Sequence, residues 1–416
     1  MIYFLYKAGA WLYFALIRIV AVVNPKAALF YKGRKNLFQN LADNLPASSE
    51  PLVWFHAASL GEFEQGRPVI EELKRRLPNV RILLTFFSPS GFEVRKGYAM
   101  VDYICYLPIE SAENVKRFYD LTNPTLAVFV KYEFWKEYID QAHSRNIPLL
   151  SISSIFWEAQ IYFKSYGRFL RESLYYFDHF FVQNETSKQL LESINIDKIT
   201  VAGDTRFDRV TAIRQQAKDI GIAKAFKDDE LIIVLGSVRE SDMKVLFPAL
   251  NSLGKKVKVI IAPHQIDSAF LTKIEMKFNH SSVRFSKATA ETAANYRLLL
   301  IDNIGMLSSL YGYGEIAFVG GGFRGGLHNT LEPAAFSIPV LWGDSESNAR
   351  FAEIAGLIDS GGGLPIGSSA DATRVLTDLV ENAETRKEKG KAAGDYVQSK
   401  TGATNTIVDY LTKQLK

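Results

Sequence analysis

Short apolar runs alternate with amphipathic stretches from Leu52 to about Gly203: LVWFHAA, VRILLTFF, DYICYL, TLAVFV, IPLLSIS, HFFVQ and ITVAG. Runs this apolar suit parallel strands covered on both faces, and the alternation predicts βαβ units. A polar, charged stretch over 204–229 reads as a linker plus a helix. The rhythm then resumes with LIIVLGS, KVIIAP, RLLLID, EIAFVGG and IPVLWG. The pattern predicts an α/β chain: a first parallel-sheet domain over 26–208, a linker over 209–228 and a second such domain over 229–383. Two consecutive open α/β domains of similar size predict a cleft in which a ligand bridges them. The last stretch, 384–416, is polar and helical, and its expected place is back across the junction.

The first 25 residues break the rhythm. They are apolar and aromatic, with Lys7 and Arg18 as interruptions, and the charge-free stretch between the two is too short to span a bilayer. A separation of eleven residues returns to nearly the same helical face. This predicts a helix lying in the membrane interface, with both cations toward lipid phosphates, in preference to a tilted span or a helix packed on its own domain. Lys26, Lys32, Arg34 and Lys35 follow, which by the positive-inside bias leaves the rest of the chain in the cytoplasm.

Composition adds limits more than clues. The 416 residues are 47% apolar and 23% charged, as in an ordinary globular protein. With 49 basic against 45 acidic residues, the net charge of +4 does not argue for nucleic acid. The single Cys105, in a strand-like run, excludes an internal disulfide and a cysteine-cluster metal site. His56, His143, His179, His264, His280 and His328 are scattered without ligand spacing, so no metal is expected.

Candidate chemistry begins where the first apolar run ends. HAASLGEFEQGRPVIEELKRR places Glu62 just past a glycine, in the first turn of a helix with bases in its last turn. Ligands of open parallel sheets sit outside the carboxyl ends of the strands, so Glu62 is either a first-turn helix residue or a carboxylate facing a cleft. Three strand ends in the second half look like ligand loops. In LIIVLGSVRESD, Ser237 and Arg239 precede a helix whose free N–H groups suit an anion, although Ser237 also serves as an ordinary N-cap candidate. In IIAPHQ, Pro263 and His264 follow a strand directly. In FVGGGFRGGLHNTLEPAAF, Gly320, Gly321, Gly322, Gly325 and Gly326 allow positive φ and close approach of backbone to a ligand. The helix that follows has Asn329 as its expected N-cap, with Glu332 completing a capping box or holding ribose hydroxyls. No Gly-Lys-Ser/Thr follows, so this is not a P-loop.

Taken together, HAASLGE, KYEFW at 131–135, VAGDTRFD at 201–208 and GGGFRGGLHNTLEPAAFSIPVLWG occur in the order found in one family. The chain resembles the 3-deoxy-D-manno-octulosonic acid (Kdo) transferases of lipopolysaccharide assembly over nearly its whole length. The resemblance implies a GT-B fold of two facing Rossmann-like domains. It also implies inverting transfer of Kdo from CMP-Kdo to a lipid A precursor at the cytoplasmic side of the cell inner membrane, with no cofactor. By position it makes Glu62 the catalytic base and Arg206 a transition-state cation where the family usually has Lys. Lys131 stands where the family often has the first Glu of Glu-x-Glu-Leu-Trp, a charge reversal that leaves Glu133 beside it. Pro263 and His264 fall at a Pro-Arg pair that contacts CMP. Ile304, Gly305 and Met306 match a short CMP-binding stretch, and Asn329, Thr330, Leu331 and Glu332 match the block that holds the nucleotide. The alternatives are a GT-B lipid glycosyltransferase using a UDP-sugar, a soluble UDP-sugar epimerase, and a non-catalytic nucleotide-binding membrane adaptor.

Overall fold

The computed structural model describes residues 2–324 and 326–415; Gly325, one of the five loop glycines, lies outside them. The chain divides into unit 1, Met1–Arg209 with Thr401–Lys416, and unit 2, Val210–Lys400. Unit 1 holds β1 (Leu52–Ala57), β2 (Arg81–Phe86), β3 (Tyr103–Tyr106), β4 (Leu126–Val130), β5 (Leu149–Ser154), β6 (His179–Val182) and β7 (Ile199–Val201). They form one sheet in the order β3-β2-β1-β4-β5-β6-β7, with every neighbour parallel. Order reverses between β1 and β4, which makes that gap the topological switch point where such sheets bind ligands.

The apolar runs form strands because helices cover both faces. All six residues of β1 are buried, as are all five of β4. Trp54 sits among Phe118, Tyr119, Phe129 and Tyr138, and its indole N–H donates to Thr85 Oγ1 at 2.8 Å. The same hydroxyl lies 2.9 Å from His56 Nδ1, and burial pushes that imidazole down to about 3. The opposite face is completed from the far end of the chain. Helix Ala403–Gln414 buries Ile407, Val408 and Leu411 in the core beside β1 and β2, and Asp208 accepts hydrogen bonds from its N-cap Gly402 and from Thr404 in its first turn.

Unit 2 repeats the plan. Its strands are β8 (Ile232–Val238), β9 (Lys258–Pro263), β10 (Ser282–Arg284), β11 (Leu298–Leu300), β12 (Ile316–Val319), β13 (Val340–Gly343) and β14 (Gly363–Ile366). The order is β10-β11-β9-β8-β12-β13-β14, again all parallel, with the switch point between β8 and β12. The polar stretch near residue 220 is not bare linker, because Ala223 and Phe226 of helix Gly221–Lys227 are buried in this core.

The N-terminal segment forms α1 (Ile2–Val20) and α2 (Pro25–Lys32), and Asn24 caps the second through Lys26 N and Ala27 N. Among the described residues no single helix is long and apolar enough to cross a membrane; the two together pass that test only across a bend of 118°. One side of α1 packs on unit 1: Phe14 meets Phe30 and Phe87, and Tyr6 donates to Glu110 at 2.5 Å. The expectation that Lys7 and Arg18 both turn to lipid fails for Lys7, which lies 3.6 Å from Glu137. The other side of α1 is bare and apolar, with Trp11 73% and Ile19 68% exposed. Arg34 locks the segment to the sheet, donating to the carbonyls of Phe30, Leu107 and Phe87 at 2.9–3.0 Å while lying 3.7 Å from the centre of the Phe30 ring. Hydrogen bonds from a charged donor contribute roughly 1.5–3 kcal/mol each, so three on one buried guanidinium make a firm latch.

Candidate active site

Both switch points carry the sequence candidates, with different chemistry. In unit 1, helix Leu60–Arg76 starts where β1 ends, and Glu62 occupies its third position, nearly buried. Glu62 Oε2 accepts from Ser59 N at 2.7 Å and from Ser59 Oγ at 2.8 Å. One oxygen closes the helix cap, as the first-turn reading expects; the other has no hydrogen-bond partner among the described residues.

Lys131 and Glu133 leave the carboxyl end of β4, across the switch point from Glu62. Lys131 has φ of +72°, a left-handed conformation that a non-glycine residue holds only where its surroundings demand it. Its N–H donates to Ile152 O at 2.8 Å, and its Nζ lies 5.0 Å from the centre of the Tyr132 ring. Burial, joined by the negative charge of Glu62, pushes the Glu133 carboxyl up to about 7. Glu133 was visible in the sequence only as a neighbour of Lys131; its perturbation comes from burial first and from the nearby Glu62 second.

Arg206 begins helix Thr205–Gln215 after β7 and is bound to Asp204, with Nε at 2.8 Å from Oδ2. The buried Asp204 also accepts from Gln65 Nε2 at 3.1 Å, and Thr205 Oγ1 donates to Gln65 O at 2.5 Å. Gln65 lies one turn beyond Glu62, so this network ties Arg206 to the helix that carries the carboxylate. Ser153, at φ of +50° near the end of β5, joins it through Thr205 at 2.9 Å. Asp204 and Gln65 lay inside motifs but were assigned no role from sequence, and Ser153 lay in no motif, only at the end of an apolar run.

In unit 2, Ser237 is not the N-cap; it lies within β8 at φ of +55°, and Arg239 caps helix Glu240–Leu253. Buried Asp242 accepts from Arg239 N at 2.7 Å and from Gly321 N at 3.1 Å, joining the two strand ends that flank the switch point. Two acids, Glu240 and Asp242, already occupy the first turn of that helix, so attraction for an anion there rests on side-chain donors. Those donors are grouped. Arg239 Nη2 lies 3.2 Å from His328 Nε2, and the His264 and His328 rings stand 4.6 Å apart. Burial, with His264 and Arg239 nearby, lowers His328 to about 4, so it is neutral and accepts from Arg239. The histidines are thus not all scattered: the fold brings these two together beside a cavity of about 340 Å³ lined by Arg239, His264 and Gln265.

The glycine-rich loop needs glycine for its own packing. A Cβ on Gly320 would lie 2.2 Å from Ser237 O, and one on Gly321, at φ of +87°, 2.2 Å from Gly326 O. Close backbone approach is real, but its partner is the protein. Asn348 clamps the loop by donating to Gly322 O at 3.0 Å and Gly343 O at 2.7 Å. The following helix, Leu331–Ala335, is only five residues long and its N-cap is Thr330, not Asn329. Asn329 instead bonds Leu331 N at 3.1 Å and Glu332 Oε1 at 3.2 Å, so no capping box forms. Thr330 and Leu331 point into the core, which leaves Asn329 and Glu332 as the accessible members of that block. Pro263 ends β9 and His264 follows it; Ile304, Gly305 and Met306 follow β11, farther along the same edge, with Ile304 91% exposed.

Two doubly wound units in tandem, each with its ligand edge at a single switch point, define a GT-B type α/β protein. A family model described as 3-deoxy-D-manno-octulosonic-acid transferase (kdotransferase) matches residues 32–209. The 3-deoxy-D-manno-octulosonic acid transferase of Haemophilus influenzae is 26% identical over 378 residues, covering 88% of this chain and 87% of that one. Its namesake from Chlamydophila psittaci is 28% identical, covering 81% and 79%. In fold alone, the chain is similar to the UDP-GlcNAc 2-epimerase of Neisseria meningitidis, with a TM-score of 0.59 at 17% identity over 88% of this chain and all of that one. Over most of its length the chain is similar to 3-deoxy-D-manno-octulosonic acid transferases, whose family model it matches over residues 32–209.

Proposed function

We propose that the protein is an inverting glycosyltransferase that moves Kdo from CMP-Kdo to a lipid A precursor. The observation that carries this reading is Glu62: a carboxylate at the switch point of a chain similar to these transferases, oriented by Ser59 through one oxygen and free to accept through the other. The acceptor hydroxyl gives its proton to Glu62 Oε1 as its oxygen attacks the anomeric carbon. The bond from that carbon to the CMP phosphate breaks, and CMP leaves with the electron pair. A single displacement inverts the centre. Unit 1 is assigned the acceptor and unit 2 the donor. Arg239 and His264 offer donors to the CMP phosphate, and Ser237 a hydroxyl, while Asn329 and Glu332 are suited to the ribose hydroxyls. Ile304, Gly305 and Met306 remain candidates for the cytidine edge, and Lys131 and Arg206 for charge that develops in unit 1.

The cytoplasmic side of the inner membrane is the proposed location, with the exposed apolar side of α1 and the basic 26–35 segment against anionic lipid. Incubation with CMP-Kdo generated in situ and a tetra-acylated lipid A precursor, followed by mass spectrometry, tests the reading. Product heavier by one or more Kdo units is expected; an unmodified precursor, with a coupled control enzyme active, sinks it.

A further inference from the structure

Between α1 and α2 runs a groove of about 810 Å³, floored by Ile109–Ala112 and walled by Trp11, Phe14, Ile17 and Phe30. That volume lies in the range of ligand sites, roughly 300–1,000 Å³, and the wall is apolar where such sites usually are. Cations line the same groove. Arg18 and Lys35 flank the Tyr31 ring at 5.7 and 5.9 Å from its centre, and neither has a carboxylate partner among the described residues. Glu110, the one acid in the lining, is engaged by Tyr6 and by Glu137 N at 2.8 Å. The groove therefore presents apolar walls with unpaired positive charge beside them.

Its place on the sheet narrows the occupant. Ile109–Ala112 follows the carboxyl end of β3, and Arg34 anchors α2 to Leu107 O and Phe87 O, just past the carboxyl ends of β3 and β2. Glu62 follows the carboxyl end of β1, two strands along the same edge, a lateral step of roughly 10 Å. We infer that the groove binds one acyl chain of the glycolipid acceptor, with an acceptor phosphate on Arg18 and Lys35. This rests on the proposed function and goes beyond it: the α1–α2 segment becomes part of the acceptor site as well as a surface anchor. A bulk phospholipid has no reason to depend on the edge that holds Glu62, whereas the acceptor must present a sugar hydroxyl there.

Trp11 in the groove wall is a built-in reporter. The test uses the full chain in nonionic detergent with acceptor whose acyl chains are brominated, a quencher of indole fluorescence on contact. Saturable quenching is expected, and it should fall to background in Trp11→Phe. Phosphatidylglycerol with the same brominated chains should not reproduce it. An Arg18→Glu/Lys35→Glu variant should weaken acceptor binding by at least about tenfold. As a second variant, Ala15→Phe should raise the KM ratio of acylated to deacylated acceptor about tenfold by filling the groove. Equal quenching by both lipids, or transfer without quenching, overturns the groove. Quenching without transfer leaves the groove standing and removes the catalytic reading.

Discussion

The two units share a seven-stranded parallel topology with one switch point each, yet the side chains grouped at those points differ. Unit 1 sets two carboxylates, Glu62 and Glu133, at the ends of adjacent strands, and burial leaves Glu133 half-protonated near neutrality. Unit 2 sets Arg239, His264 and His328 there, and its buried carboxylate, Asp242, is spent on backbone N–H groups. The backbone plan is indifferent to charge; a few residues past each strand decide what each edge can attract. On the proposed function, one edge takes a proton and the other meets an anion.

That contrast can be broken at its strongest point first. Glu62→Gln keeps an acceptor for the Ser59 cap but removes the base, and transfer should fall by roughly 10²–10⁴-fold while CMP still protects against thermal unfolding. Near-normal turnover, or loss of CMP protection, would contradict the division between the units. In unit 2, Gly320→Ala drives a methyl into Ser237 O and should cost about 3 kcal/mol in thermal or denaturant unfolding, with CMP protection lost and UDP never protective. If melting is unchanged, the loop packing described above is wrong.

The third test uses Glu133. Its folded value of about 7 is raised above the ordinary carboxylate value of 4.5, so the folded state holds a proton that the unfolded chain has released. Stability from this group is full below about pH 4.5 and declines as pH rises toward 7. Glu133→Gln should flatten that slope and be more stable than the parent at pH 8 by an amount on the order of 1–3 kcal/mol. It should also remove an inflection near pH 7 from the transfer profile; an unchanged profile disconnects Glu133 from the reaction. The smallest effect is expected from Arg206→Lys. One donor to Asp204 survives and the charge is kept, so transfer should change only a few-fold, within about 1 kcal/mol; a loss as large as that of Glu62→Gln would place Arg206 at the reacting atoms.

Much of the fold was legible because parallel strands buried on both faces have to be apolar along their whole length, as β1 and β4 are. Glu62 was legible for a related reason: a charged residue directly after such a strand and a glycine has few places to go but the carboxyl edge. The loop block was read less well. Asn329 looked like a cap and Thr330 and Leu331 like ligand contacts, but the five-residue helix caps on Thr330, and Thr330 and Leu331 turn inward. Short helices are fixed by packing more than by end signals. The pairing of His264 with His328, and of Asp204 with Gln65 across 139 residues, had no local signature at all.

Local periodicity, strand-end glycines and the order of four motifs determined the α/β class, the family resemblance and the carboxylate at the end of β1, because these are properties of contiguous sequence. Which charges meet was decided only by strand order. Glu133 takes its raised value from burial and from Glu62, which the β1–β4 pairing brings alongside, and Arg34 holds the α1–α2 segment to the carbonyls past β2 and β3. Electrostatic and packing energies fall off over a few ångströms in space, and spacing along the chain does not report those distances.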